Sequence, residues 1–311
     1  MRGFTASLRI KAGKFLDGDL FYSFRTSPMA IAALAVFMVL ALLAIFAPLV
    51  TPQNPLDQAA LDLLNSELPP AWERGGDPAF LLGTDHQGRD VLSSIIFGLR
   101  ISLLVGAAGM VFALVIGVVL GLIAGFVGGF VDAFIMRLAD IKLSFPAILI
   151  ALLINGVLRT LLPDANTGVL SLVVLIAAIG LSGWVQYARV VRGLTLIEKE
   201  KEYVQAAGLI GQGAGFVIFR HILPNAFGPI SVLSTINFAL AILTEATLSF
   251  LGAGVPPTEP SLGTLVRIGN EYLFSGLWWI AIFPSVALVF LVLSVNILGD
   301  WLRDALNPRL K

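Results

Sequence analysis

The chain has 311 residues, 57 % of them hydrophobic and 13 % charged, and a mean hydropathy of +0.91. That mixture excludes an ordinary soluble domain. Basic and acidic residues balance at 20 each, which gives no reason to expect a nucleic-acid partner, and the absence of cysteine excludes disulfides and thiolate metal sites.

Apolar runs long enough to cross a hydrocarbon core of ~30 Å predict an all-α polytopic membrane protein with about six transmembrane helices. A polar lead, residues 1–27, carries Arg2, Arg9, Lys11, Lys14 and Arg25. The first span, 28–50, is longer than a signal-peptide core and follows a long polar lead, so it reads as a permanent helix. Residues 51–95 form an acidic, proline-bearing loop. Near its end Gly83 and Gly88 supply turns and Arg89 stands beside Asp85 and Asp90, which suits a compact cap on the second span.

The remainder, 96–300, reads as one membrane unit with spans near 101–126, 144–158, 168–191, 227–251 and 277–298, followed by a tail at 301–311. Residues 131–143 contain Asp132, Arg137, Asp140 and Lys142, too much charge for mid-bilayer. They read as an interfacial lead-in bent at Pro146, with Arg137 and Asp140 paired on one helix face. Trp184, Trp278, Trp279 and Trp301 read as interfacial anchors. An even number of spans places both termini and the loop 193–225 on one side, and these are the basic segments, so that side is cytoplasmic. The loop 51–95 then faces outward.

In the loop 193–225, residues 198–202 alternate acid and base, the usual pattern of a solvated helical face. Tyr203, Val204, Ala206, Ala207, Leu209 and Ile210 follow with a small and apolar face. Gly211, Gly213 and Gly215 break the helix so that a second short segment can turn back. From the residues alone, a docking helix and a passive linker are both open. Asn237 and Glu245 lie in the fifth span, where a helix-packing hydrogen bond and a pathway-lining group are likewise both open. No Gly-x-x-x-x-Gly-Lys-Ser/Thr loop is present to cradle nucleotide phosphates, and no Gly-x-Ser-x-Gly or His-Glu-x-x-His motif suggests catalysis.

The stretch Glu202-Tyr203-Val204-Gln205-Ala206-Ala207-Gly208, with Gly211 and then Ile222-Leu223-Pro224, resembles the EAA loop of permease subunits in bacterial ABC importers. That family commonly has Glu where this chain has Gln205, which removes a possible salt bridge but not the helix. Further pieces follow the dipeptide/oligopeptide branch in order. They are Gly83-Thr84-Asp85 with Gly88-Arg89-Asp90, Gly128-Gly129 with Asp132, Met136-Arg137, Ser249-Phe250-Leu251-Gly252-Ala253-Gly254 after Glu245, and the closing run 296–309.

The resemblance implies a type I ABC importer permease fold in which 193–225 holds a cytoplasmic coupling helix. Glu202, Tyr203, Gln205, Ala206, Ala207, Gly208, Gly211 and Pro224 would serve ATPase coupling. It also implies a second homologous permease, two ATPase subunits that bind ATP and Mg, a periplasmic substrate-binding protein and a peptide or peptide-like substrate. This chain would bind no cofactor, catalyse nothing by itself, and cross the lipid of the bacterial inner membrane several times with both termini cytoplasmic. Asp85, Arg89 and Asp90 would either brace the permease pair or receive the binding protein. Relatives of this kind also carry nickel chelates, glutathione or opines, so the substrate stays open. An ion-coupled secondary transporter would instead show buried charges at matching positions of two inverted halves, and no such symmetry is visible.

Overall fold

The computed structural model describes residues 19–57, 59, 61–162, 168–256 and 258–306. The expected tails at 1–27 and 301–311 therefore lie partly outside the described residues. Among those residues the structure is helical, with only an isolated bridge between Thr84 and Asp90.

Helix α1 (Asp19–Thr26) leads directly into α2 (Pro28–Ile45). Ser27 between them accepts a hydrogen bond from the amide of Ala30, and Pro28 sits at the first turn, where its missing N–H costs nothing. A short α3 (Ala47–Val50) completes the first span. Next come α4 (Val91–Val127), α5 (Gly129–Leu143), α6 (Ala147–Leu161) and α7 (Gly168–Lys199). Among the described residues, five helical stretches are long and apolar enough to cross a membrane, and α5 with α6, bent by 100°, makes a sixth when counted as one span.

The boundaries differ from the sequence reading wherever charge or polarity interrupted an apolar run. Helix α4 begins at Val91, not near residue 101, because Asp90 caps it and the polar Ser93 and Ser94 are buried against the rest of the fold. Helix α7 runs to Lys199, well into the expected coupling loop. Beyond that loop, α9 (Ala214–Val217) leads through a π-helical turn (Ile218–Ile222) into α10 (Leu223–Phe250). Pro224 therefore does not stop the helix. The amide of Leu223 bonds back to the carbonyl of Ile218, and this wider turn accommodates a proline that lacks its own donor.

Helix α11 (Leu262–Tyr272) was not foreseen, being too short and polar for a span. It buries Leu262, Leu265 and Ile268 along one face. Helix α12 (Trp278–Ala305) packs on α11, α2 and α10. The anchor reading of Trp279 fails: its ring is buried and its indole N–H donates to the carbonyl of Thr84 at 3.0 Å.

Helices α4 and α7 make the most extensive pairing. On α4, Gly117, Gly121 and Gly125 recur every fourth residue and face α7. A Cβ at Gly121 would stand 2.6 Å from the carbonyl oxygen of Ala188. Small residues at this spacing let two backbones approach closely, which in lipid is a main source of helix association.

Charged residues at the start of the third span follow this pairing. Asp132 takes both the Nε and the Nη2 of Arg192, the latter at 2.6 Å, and Asp140 pairs with Arg189 at 2.6 Å. The expected Arg137–Asp140 pair is therefore not formed, since packing α5 across the end of α7 offers Asp140 a tertiary partner.

Candidate coupling site

The helix α8 (Glu202–Leu209) lies between the end of α7 and the start of α9. Its inner face inserts Val204 and Ala207 into an apolar cluster with Leu122, Val191, Val217, Ile222 and Ala226. These side chains seat the short helix against α7 and α9, in one apolar cluster with residues of α4 and α10. Glu202, Gln205 and Ala206 face outward, and the Gln205 side-chain amide donates to the carbonyl of Glu200 at 3.2 Å. Gly208 lies within the helix.

Beyond α8 the chain turns at Gly211, whose φ of +83° is left-handed. The amide of Gln212 bonds back to the carbonyl of Ala207 at 3.1 Å, a glycine-based helix stop. Among the described residues, nothing beyond its immediate chain neighbours lies within 4 Å of a Cβ placed there, so the glycine serves backbone geometry rather than internal packing. Just before the stop, Leu209 and Ile210 are 90 % and 79 % exposed, and beyond it Phe216 and Phe219 are exposed as well.

Glu198 was read as part of a solvated face. It is instead only 7 % exposed and anchors the loop. It accepts from Lys201 Nζ at 2.5 Å, from Asn225 Nδ2 at 3.2 Å and from the Tyr203 hydroxyl. Asn225 also donates to the Tyr203 oxygen at 2.9 Å. Three elements, α7, α8 and α10, thus meet on one carboxylate. The alternation of charges hid this because only tertiary packing distinguishes Glu198 from Glu200 and Glu202. The hydrogen bond to Glu198 holds both the Lys201 ammonium and the Tyr203 phenol above their usual ranges.

The other candidates lie elsewhere. Glu245 is fully buried, accepting from Ser102 Oγ at 2.8 Å and Ser249 Oγ at 2.7 Å. Ser102 in turn accepts from the amide of Leu262 at 3.2 Å, so the carboxylate ties α10 to α4 and the start of α11. Asn237 donates to the carbonyl of Leu233 one turn back at 3.0 Å and borders a cavity between the helices.

Asp85, Arg89 and Asp90 are all buried within this chain. Arg89 Nε donates to Asp85 Oδ2 at 2.6 Å, while Asp90 caps α4 through the amide of Ser93 at 2.9 Å. Thr84 Oγ1 links the turn to Asn65 and Leu68, and His86 stacks on Tyr272. Side chains buried in this way brace the loop against α11 and α12 of their own chain.

Residues 117–311 match the binding-protein-dependent transport system inner membrane component family, and residues 18–70 match the N-terminal transmembrane domain of oligopeptide transport permease C. Among similar proteins, the dipeptide transport system permease protein DppC of Escherichia coli (strain K12) is 41 % identical, over 94 % of this chain and 93 % of its own. The di/tripeptide transport system permease protein DppC of Pseudomonas aeruginosa is 38 % identical, over 94 % of this chain and 92 % of its own. The corresponding protein of Haemophilus influenzae is also 38 % identical, over 94 % and 95 %. With its helical bundle and these matches along nearly its whole length, the chain is a multi-pass inner-membrane protein of the binding-protein-dependent transport system inner membrane component family.

Proposed function

We propose that the chain is one half of the translocation pathway of an ATP-driven importer of peptides, and that α8 is where an ATPase subunit pushes on it. The observation that carries this reading is the build of α8. One face is fixed to three helices through Val204, Ala207 and the Glu198 cluster, while Leu209, Ile210 and Phe216 stand exposed beside it. A rigidly attached helix beside an unpartnered apolar surface can transmit a displacement to the bundle.

A second, homologous permease encloses the other half of the pathway. Two ATPases hold ATP and Mg, and a periplasmic binding protein delivers the substrate. Both termini and α8 face the cytoplasm, in line with their lysines and arginines. Closure of the ATPases around ATP moves the coupling helices, and the bundles switch from inward- to outward-facing; hydrolysis resets them. Hydrolysis takes place in the partners, so this chain is a non-catalytic subunit. The names of the relatives favour di- and tripeptides as cargo.

Because the chain has no cysteine, single-cysteine cross-linking carries no background from the chain itself. In the co-expressed transporter, Leu209→Cys is expected to cross-link to an ATPase subunit, and proteoliposomes are expected to take up dipeptide only with ATP and binding protein. Absence of the cross-link in an assembled complex would remove α8 from the interface, and uptake independent of ATP would remove the importer reading.

A further inference from the structure

A cavity of about 140 Å³ lies at mid-height of the bundle, bounded by α4, the α5–α6 bend, α7 and α10. A single water needs roughly 10–15 Å³, so the space admits a larger group. One wall is Gly109, the central residue of the 37-residue α4, roughly 27 Å from either helix end at 1.5 Å per residue. The remaining lining is apolar apart from a small polar set: Lys142, Gln186, Tyr187, Asn237, Thr244 and Ser182.

Lys142 is half-buried, and among the described residues its ammonium makes no ion pair or hydrogen bond. The acids nearest in sequence are already committed, Asp132 to Arg192 and Asp140 to Arg189. A cation at such depth is costly without a counter-charge, so the structure leaves a place for an anion supplied from outside the chain. Asn237 spends one amide N–H on Leu233 and its side chain also faces the Tyr187 hydroxyl, which leaves its carbonyl oxygen for another partner. An ammonium flanked by amide donors and acceptors matches a carboxylate next to a peptide bond.

We propose that Lys142 receives the terminal carboxylate of a peptide as it passes through the bundle, with Asn237 and Gln186 contacting the adjoining peptide group. This deepens the peptide-importer reading and rests on it. A lipid phosphate shares the anionic chemistry, and the test separates the two sources.

The whole transporter, with both permeases, the ATPases and the binding protein, is reconstituted in proteoliposomes. Uptake of alanyl-alanine is compared with that of its C-terminal amide for the native chain, Lys142→Gln and Lys142→Arg. The binding protein's own preference is common to all three and cancels. The free-acid preference should fall about ten-fold in Lys142→Gln, as expected for loss of one charge-assisted contact, and persist in Lys142→Arg. An unchanged preference in Lys142→Gln overturns the proposal and fits a lysine that serves lipid. If Lys142→Gln does not assemble, loss of the preference in Lys142→Arg overturns it equally. Loss of the second permease on purification, with the preference intact in the remaining complex, assigns Lys142 to a permease–permease ion pair instead. Failure of the native transporter to take up either compound defeats the peptide reading itself.

Discussion

Glu198→Ala removes one acceptor from three donors at the root of α8. The Lys201 side chain is 46 % exposed, so solvent screens its ion pair and it adds little. The bonds from Tyr203 and Asn225 reach a charged acceptor, nominally about 1.5–3 kcal/mol each. Both donors lie near solvent and rehydrate on loss of the carboxylate, which reduces each to the low end of that range or less. A total of about 2 kcal/mol for the attachment of α8 follows, a roughly thirty-fold rise in its open fraction. Amide hydrogen exchange across Val204–Leu209 in the assembled transporter reads that change, and dipeptide taken up per ATP hydrolysed reads its consequence. Lys201→Ala, which loses only the exposed pair, should raise exchange about five-fold or less. Unchanged exchange in Glu198→Ala, or equal effects of the two substitutions, would refute the view that Glu198 anchors the loop.

The same cluster predicts a pH dependence. Because Glu198 raises the pKa of Lys201 and Tyr203 above their ordinary values of 10.5 and 10.0, their contribution is complete below those values and is lost as pH rises through the folded ones. Protection of α8 should therefore not change through these two groups between neutral pH and about 9, and should fall only in stronger alkali. Gly211→Val should weaken uptake more than Gly211→Asn, since a β-branched residue at φ +83° costs about 1–3 kcal/mol while asparagine tolerates that region; equal uptake in both would remove the turn from the mechanism. Glu245→Gln should preserve the thermal stability of the complex better than Glu245→Leu, which leaves buried hydroxyls at a cost of about 1–3 kcal/mol each; the reverse order in a melting assay would show that the charge itself is needed. Arg89→Ala strands the buried Asp85 carboxylate, at about 3–5 kcal/mol, and should lower the yield of folded chain before any partner is added, a loss that chain expressed alone would reveal.

Much of this protein is legible without its tertiary structure. Long apolar runs must become helices in lipid, because no water is there to satisfy the backbone, so α2, α4, α7, α10 and α12 follow from hydropathy. The small residues and glycines at 203–211 likewise announced a short helix with a stop, since glycine at positive φ is a local property. Helix ends were less legible: α4 and α7 extend past their apolar runs because Ser93 and Glu198 find partners inside the fold. Pairing was not legible at all. Asp140 chooses Arg189 over Arg137, Trp279 reaches back to Thr84, and Glu198 rather than its equally charged neighbours becomes the anchor. In each case the deciding contact lies on another helix, and its energy depends on burial and distance that only the packed bundle sets. Local sequence decides where a backbone can be helical, while the fate of a charge is decided by what the other helices bring against it.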